Sequence, residues 1–170
     1  MAMYIALLRA VNVGGTGKLP MSDLKTLCYE AGFTQVRTYI ASGNVVFQSD
    51  MSASRVKATL EERLKNYAGK PVGVLVRTTA EMVAVLANNP FPDAAPNRTV
   101  AIFLDEPLTA DVMEGIVGRN GEAIAIGRRE LYVHYGDGMA SSKLRIPAAK
   151  TGTARNMNTI SKLAEMAGAD

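Results

Sequence analysis

The chain contains one cysteine, one histidine and no tryptophan. A single thiol cannot close an internal disulfide, so Cys28 points to a reducing compartment and the chain is expected to be cytoplasmic. One imidazole, His134, with no cysteine or second histidine beside it, points away from zinc sites and from Ser-His-Asp chemistry. The acidic residues show no spacing of a metal site or a glycosidase pair. No metal or other cofactor is expected. Long apolar runs are missing too. The run Met3–Leu8 stops at Arg9, far short of the ~20 residues of a membrane span. No basic segment precedes it, so neither a membrane partner nor a secretory signal is expected.

What remains is an ordinary globular composition: 170 residues, 48% hydrophobic and 21% charged. A chain of this length buries roughly 68–70% of its unfolded surface and needs no staple. The net charge is only +3, but it is unevenly spread. Gly127 to Lys162 carries seven basic residues against two acidic ones, and the rest of the chain is slightly negative.

Periodicity sets out the elements. Met3–Val11 reads as a strand running into Asn12-Val13-Gly14-Gly15. Met21, Leu24, Leu27, Cys28 and Ala31 recur at helical spacing. Val36–Ile40 and Val45–Phe47 form strands around the turn Ser42-Gly43-Asn44. A helix follows Ser54 with Val56, Leu60, Leu64 and Tyr67 on one face, and Val72–Val76 is a strand. This β-α-β-β-α-β order is that of a split βαβ unit, the ferredoxin-like arrangement. Thr78-Thr79-Ala80-Glu81 has capping-box spacing and opens a helix through Ala87. The proline-dense stretch 88–97 divides the chain into halves 1–88 and 89–170. The second half reads as a strand at Val100–Leu104, a helix at Ala110–Val117 and a hairpin of Ala123–Ile126 with Leu131–Tyr135. It closes with helices at Ser141–Leu144 and Arg155–Ala167 rather than with a strand. The expected fold class is therefore α+β: two ferredoxin-like (split βαβ) halves, antiparallel sheets packed by helices.

In a split βαβ unit the loop after strand one and the turn joining strands two and three emerge at one end of the sheet. This places Asn12, Gly14, Gly15 and Lys18 near Ser42 and Asn44, with Arg9 and Tyr39 beside them. Glycines let backbone N–H groups approach a ligand, and a helix N-terminus favours an anion; the alternative is that the glycines serve only tight turns. The loop is not a phosphate-binding P-loop, because Asn12 and Leu19 stand where that motif needs glycine and a hydroxyl. A second polar cluster, Thr153, Arg155 and Asn156 with Lys162 one turn on, marks the start of the last helix. Thr153 or Asn156 caps it, leaving N–H groups and Arg155 for an anion or for an ion pair between the halves. His134 reads as a surface or satisfied histidine and Cys28 as a buried inert thiol.

These runs, LLRAVNVGG, VRTYIASGNVVF, SKL and GTARNMNT, resemble the bacterial family called domain of unknown function 1697. The resemblance spans Tyr4 to about Leu163. It rests on Arg9, Asn12, Gly14 and Gly15; on Thr38, Tyr39, Ser42, Gly43 and Asn44; and on Thr153, Arg155, Asn156 and Thr159. Ala10 stands where the family usually has glycine, and Met157 where it usually has tryptophan. The resemblance implies a fold and no reaction.

Three functions fit the residues. The first is binding of an anionic ligand, a nucleotide or other phosphorylated small molecule or else RNA, by the Gly/Asn/Arg-rich set. No RNP-like aromatic pair is visible, which favours a small ligand over RNA. The second is an enzyme on a phosphorylated or acyl substrate with Tyr39 or Ser42 reacting, for which no general base is identifiable. The third is an assembly protein whose polar motifs are structural. The sequence leaves the oligomeric state open. Because one histidine and one cysteine cannot assemble a ligand cluster, a chelator should leave the melting temperature unchanged. A chelated sample that unfolds until a divalent ion is restored would overturn this.

Overall fold

The computed structural model describes residues 2–10, 18–136 and 141–168. Strand β1 (Ala2–Leu8) pairs antiparallel with β3 (Asn44–Ser49) on one edge and with β4 (Val74–Thr78) on the other. β2 (Thr34–Tyr39) adds outside β3, giving the order β2-β3-β1-β4. Alternation along β1 sends Tyr4, Ala6 and Leu8 to one face, where they join Leu24 and Cys28 of α1 (Met21–Glu30) and Val56, Leu60 and Leu64 of α2 (Ala53–Ala68) in one core. The apolar stripe of each helix is the one its 3.6-residue period dictates. Ser52 starts α2 by accepting a bond from the Arg55 amide, and Gly69 ends it in left-handed conformation.

The second sheet repeats this order with different connections. β5 (Thr99–Phe103) lies between β7 (Glu130–His134) and β8 (Thr153–Asn156), with β6 (Ala123–Ile126) outside β7. Where the first half has two long helices, this half has short 3₁₀ turns at Ala110–Met113 and Pro147–Thr151. The expected helix at Ala110–Val117 is a single 3₁₀ turn: Glu114 is already extended, and Gly115 after it is left-handed. No helix forms at Ser141–Leu144. There the Ser142 hydroxyl takes the Leu144 amide, and Arg145 then bridges to Val117.

The other correction is at the end of the chain. A closing strand does exist, β8, and it contains Arg155; α4 (Met157–Met166) begins only after it. Four residues with mixed burial were too short to register as a strand in the pattern. β1 likewise ends at Leu8 rather than Val11. Arg9 still donates its amide to the Gly73 carbonyl at 2.9 Å, and Ala10 then turns left-handed with φ 51° and ends the strand.

The chain divides into two compact units, 1–82 with 163–170, and 83–162, so the division runs through α3 (Thr79–Ala87) and α4 rather than through the proline-rich stretch. Each helix finishes in the unit it did not start from. In the first unit, Arg37 donates to the Met166 carbonyl and Thr79 to the Ala167 carbonyl, which fixes the end of α4. In the second, the buried Tyr132 hydroxyl donates to the Val85 carbonyl at 2.8 Å and holds the end of α3. Among the described residues no helix is long and apolar enough to cross a membrane.

Within the first core, Phe47 stacks on Phe33 with ring centroids 4.3 Å apart and planes at 5°. Both rings are buried. Phe47→Ala removes a fully buried aromatic from the centre of this layer and should cost about 3–5 kcal/mol. Urea denaturation checks this, and a loss below about 1 kcal/mol would show that the stack is not central to the core.

Candidate functional site

The C-terminal end of β1 is where the first unit gathers its polar motifs. Leu7 sits opposite Asn44, and the Leu8 amide donates to the Gly43 carbonyl at 2.8 Å. The end of β1 and the Ser42–Asn44 turn are therefore neighbours, as the parallel β1 and β2 of a split βαβ unit require. Arg9 follows at once. Its side chain lies across Gly73, so closely that a Cβ there would come within 2.9 Å of the Arg9 Cδ. A side chain at 73 would push Arg9 aside, so the glycine lets it lie flat there.

The turn itself is held by Asn44. Its buried Nδ2 donates both to the Tyr39 carbonyl at 2.9 Å and to the Ser42 hydroxyl oxygen at 3.0 Å. Asn44 is thus occupied as a brace. An amide that donates to Ser42 cannot also remove its proton, so Asn44 supplies no base for a reacting serine. Tyr39 and Ser42 are partly exposed and Lys18 is exposed, while Asn12, Gly14 and Gly15 lie outside the described residues.

Two residues here are in left-handed conformation without being glycine: Ala10 at φ 51° and Ile40 at φ 51°. For L-residues this region costs about 1–2 kcal/mol, and a β-branched side chain makes it a true outlier. Ile40 was not singled out in the sequence. An isoleucine between a strand and a Ser-Gly-Asn turn was the available signal.

The second unit holds the other expected residues. Arg155 is a strand residue opposite Ala101, 7% exposed, and not the solvent-facing helix start that its neighbours implied. Its Nη1 donates to the Thr153 hydroxyl at 2.7 Å and to the Ala154 carbonyl at 2.9 Å. Burial pulls its pKa down to about 10, which leaves it charged at neutral pH. Asn156 is the cap: its Oδ1 accepts from the Thr159 amide at 2.9 Å. Lys162 is exposed on α4. The expected site residues are therefore shared out, with Arg9, Lys18, Tyr39, Ser42 and Asn44 in one unit and Thr153, Arg155, Asn156 and Lys162 in the other.

The first unit has its own counterpart of Arg155. Arg77 occupies the same penultimate place in β4, is 1% exposed and donates Nη1 to the preceding carbonyl, Val76, at 3.0 Å. The following Thr78 and Glu81 exchange bonds in a capping box, as Asn156 and Thr159 cap α4.

The family model for proteins of unknown function called DUF1697 matches residues 1–132. The chain belongs to this family. It is similar over 98% of both chains to the conserved bacterial protein SP0830 from Streptococcus pneumoniae, with a TM-score of 0.80 and 24% identity. At that identity the likeness is one of fold. No curated protein matches the sequence significantly. Ala10, where the resemblance leads one to expect glycine, adopts the left-handed backbone that glycine suits.

The burial of Arg155 sets two terms against each other. Truncation leaves a cavity and removes charge-assisted bonds, whereas loss of the charge relieves its desolvation. Arg155→Ala should therefore cost about 2–4 kcal/mol. Arg155→Met, which refills the volume without charge, should stay within about 1 kcal/mol of the parent. Denaturant unfolding of both variants checks this; equal losses would show that the charge itself is what the second unit needs.

Proposed function

We propose that this DUF1697 member is a cytoplasmic binder of an anionic small molecule, a nucleotide or other phosphorylated compound, at the C-terminal end of β1. The observation that carries this is the Arg9 shelf, an arginine side chain laid over Gly73 at the end of β1, whose opposite edge carries the Ser42–Asn44 turn. Two strained residues, Ala10 and Ile40, flank this end of the sheet. Strain of this kind persists where surrounding structure over-determines it, and it clusters at ligand sites. Arg9, Lys18, Tyr39 and Ser42 supply the contacts, and Asn44 braces them. A guanidinium offers a planar fork of donors that matches phosphate oxygens. The buried Cys28 thiol, pushed up to about 12 by desolvation, is inert and consistent with a reducing compartment.

The test begins with the absorbance ratio of the purified protein, since a chain without tryptophan makes a retained nucleotide easy to see. A thermal-shift panel of nucleotides and polyanions follows. A ligand at 100 times its Kd stabilises by about 2.7 kcal/mol. Arg9→Ala should weaken the ligand so found by about 1.5–3 kcal/mol, roughly 10- to 150-fold. A flat panel, or a ligand that Arg9→Ala binds as tightly as the parent, overturns the proposal. Affinity that falls steeply with salt would instead mark RNA as the partner.

A further inference from the structure

The second unit contains a cleft of about 620 Å³ lined by seven polar residues and three glycines. That size is ordinary for a small-molecule site, for which roughly 300–1,000 Å³ is typical. Its frame is built tightly. Val117 and Arg145 exchange two backbone hydrogen bonds, of 3.1 and 2.8 Å, and this presses Gly118 against the Lys143 carbonyl. A Cβ at Gly118 would lie 1.9 Å from that oxygen, so no other residue fits. The loop then closes on itself through Arg119, whose Nε donates to the Glu122 carbonyl at 2.8 Å.

Glu122 forms the floor of the cleft and is 5% exposed. The Ser142 hydroxyl donates to its Oε2 at 2.7 Å, and the Asn120 amide donates to its Oε1. These bonds, led by that of Ser142, hold the carboxyl below its usual range, so it is ionised at neutral pH. A carboxylate stabilised in this way is a poor base, which argues for binding over serine activation. Tyr135 forms a wall close enough that the Glu122 charge, after burial, helps raise its phenol.

The lining selects among ligands. Among the described residues a divalent cation finds one carboxylate in the lining, already hydrogen-bonded, with Arg119 and Lys143 beside it, and no cluster of metal-ligating groups. A polyamine meets the same two positive charges. An apolar ligand finds no aliphatic residue in the lining, only the Tyr135 ring and the stems of charged side chains. What fits is a molecule that combines an anion for Lys143 and Arg119 with hydroxyls for Glu122, Asn120 and a serine.

We propose that this cleft binds a phosphorylated polyol, a sugar phosphate or a nucleoside monophosphate, with its phosphate on Lys143 and Arg119 and its hydroxyls toward Glu122 and Asn120. This site is independent of the Arg9 shelf, since every residue it uses belongs to the other unit.

The experiment is isothermal titration of the full chain with ribose 5-phosphate, ribose, inorganic phosphate and adenosine monophosphate. Ribose 5-phosphate should bind at least 10-fold more tightly than ribose or inorganic phosphate. Lys143→Ala should weaken it at least 10-fold, the effect of losing one charge-assisted bond. Lys65→Ala, an equal change in net charge on exposed α2 surface, should leave it unchanged. Adenosine monophosphate binding with the same Lys143 dependence extends the site to nucleotides. Glu122→Gln keeps the shape of the floor and should weaken ribose 5-phosphate while leaving inorganic phosphate unchanged. Absence of ribose 5-phosphate binding at millimolar concentration, equal affinity for inorganic phosphate, or indifference to Lys143→Ala overturns the proposal.

Discussion

Each sheet hangs on a central strand that is hydrogen-bonded along both edges and buried on both faces. In β1 every residue from Tyr4 to Leu8 is buried, and in β5 every residue from Thr99 to Phe103. Fully burying one aliphatic side chain contributes about 1.5–3 kcal/mol, so these two segments anchor a large share of the hydrophobic stabilisation. They also fix position. A strand locked to two neighbours cannot slip by one residue without turning its whole apolar set outward. Whatever leaves the end of β1 is therefore held to the register of β3 and β4. Arg9, one residue beyond the strand and still bonded to Gly73, inherits that rigidity.

The fourth strands show how the same device serves twice. Arg77 and Arg155 each sit two residues before the first residue of a helix, buried, with a guanidinium nitrogen on the carbonyl of the preceding residue. Each helix then begins with a side-chain cap, from Thr78 in one half and Asn156 in the other. A buried guanidinium is expensive to desolvate, and five donors must be satisfied. Its use at both strand–helix junctions points to fixing the direction of the chain there rather than to raw stability. This repeat is structural before it is sequential: the two arginines align, while the residues around them share little.

The first half was legible because its elements are long and strongly periodic. α2 runs 16 residues with a clean apolar stripe, and the Ser-Gly-Asn turn carries its own chemistry. The second half was legible in its strands and not in its connections. A 3₁₀ turn leaves almost no periodic trace, and β8 is four residues with one fully buried side chain. Misplacing β8 as helix turned Arg155 from a strand residue into a surface one, so one boundary error changed the chemistry assigned to it. Glu122 was missed for another reason. Its environment is assembled by Ser142, twenty residues away, and nothing in the spacing joins R-N-G-E to S-S-K.

The Ser-Gly-Asn motif shows why structural and functional readings of one motif need not compete. Asn44 contacts no ligand in the proposed site; its Nδ2 bonds to the Tyr39 carbonyl and the Ser42 hydroxyl hold the turn. Yet without that brace the Tyr39 carbonyl and the Ser42 hydroxyl would not be fixed against the end of β1. Ile40, forced left-handed within the same turn, would have no reason to stay there. The amide offsets that strain and leaves Tyr39, Ser42 and Arg9 oriented in advance, so a ligand would not have to order them on arrival. A buried asparagine is therefore as much a requirement of the proposed site as the exposed residues that would touch the anion.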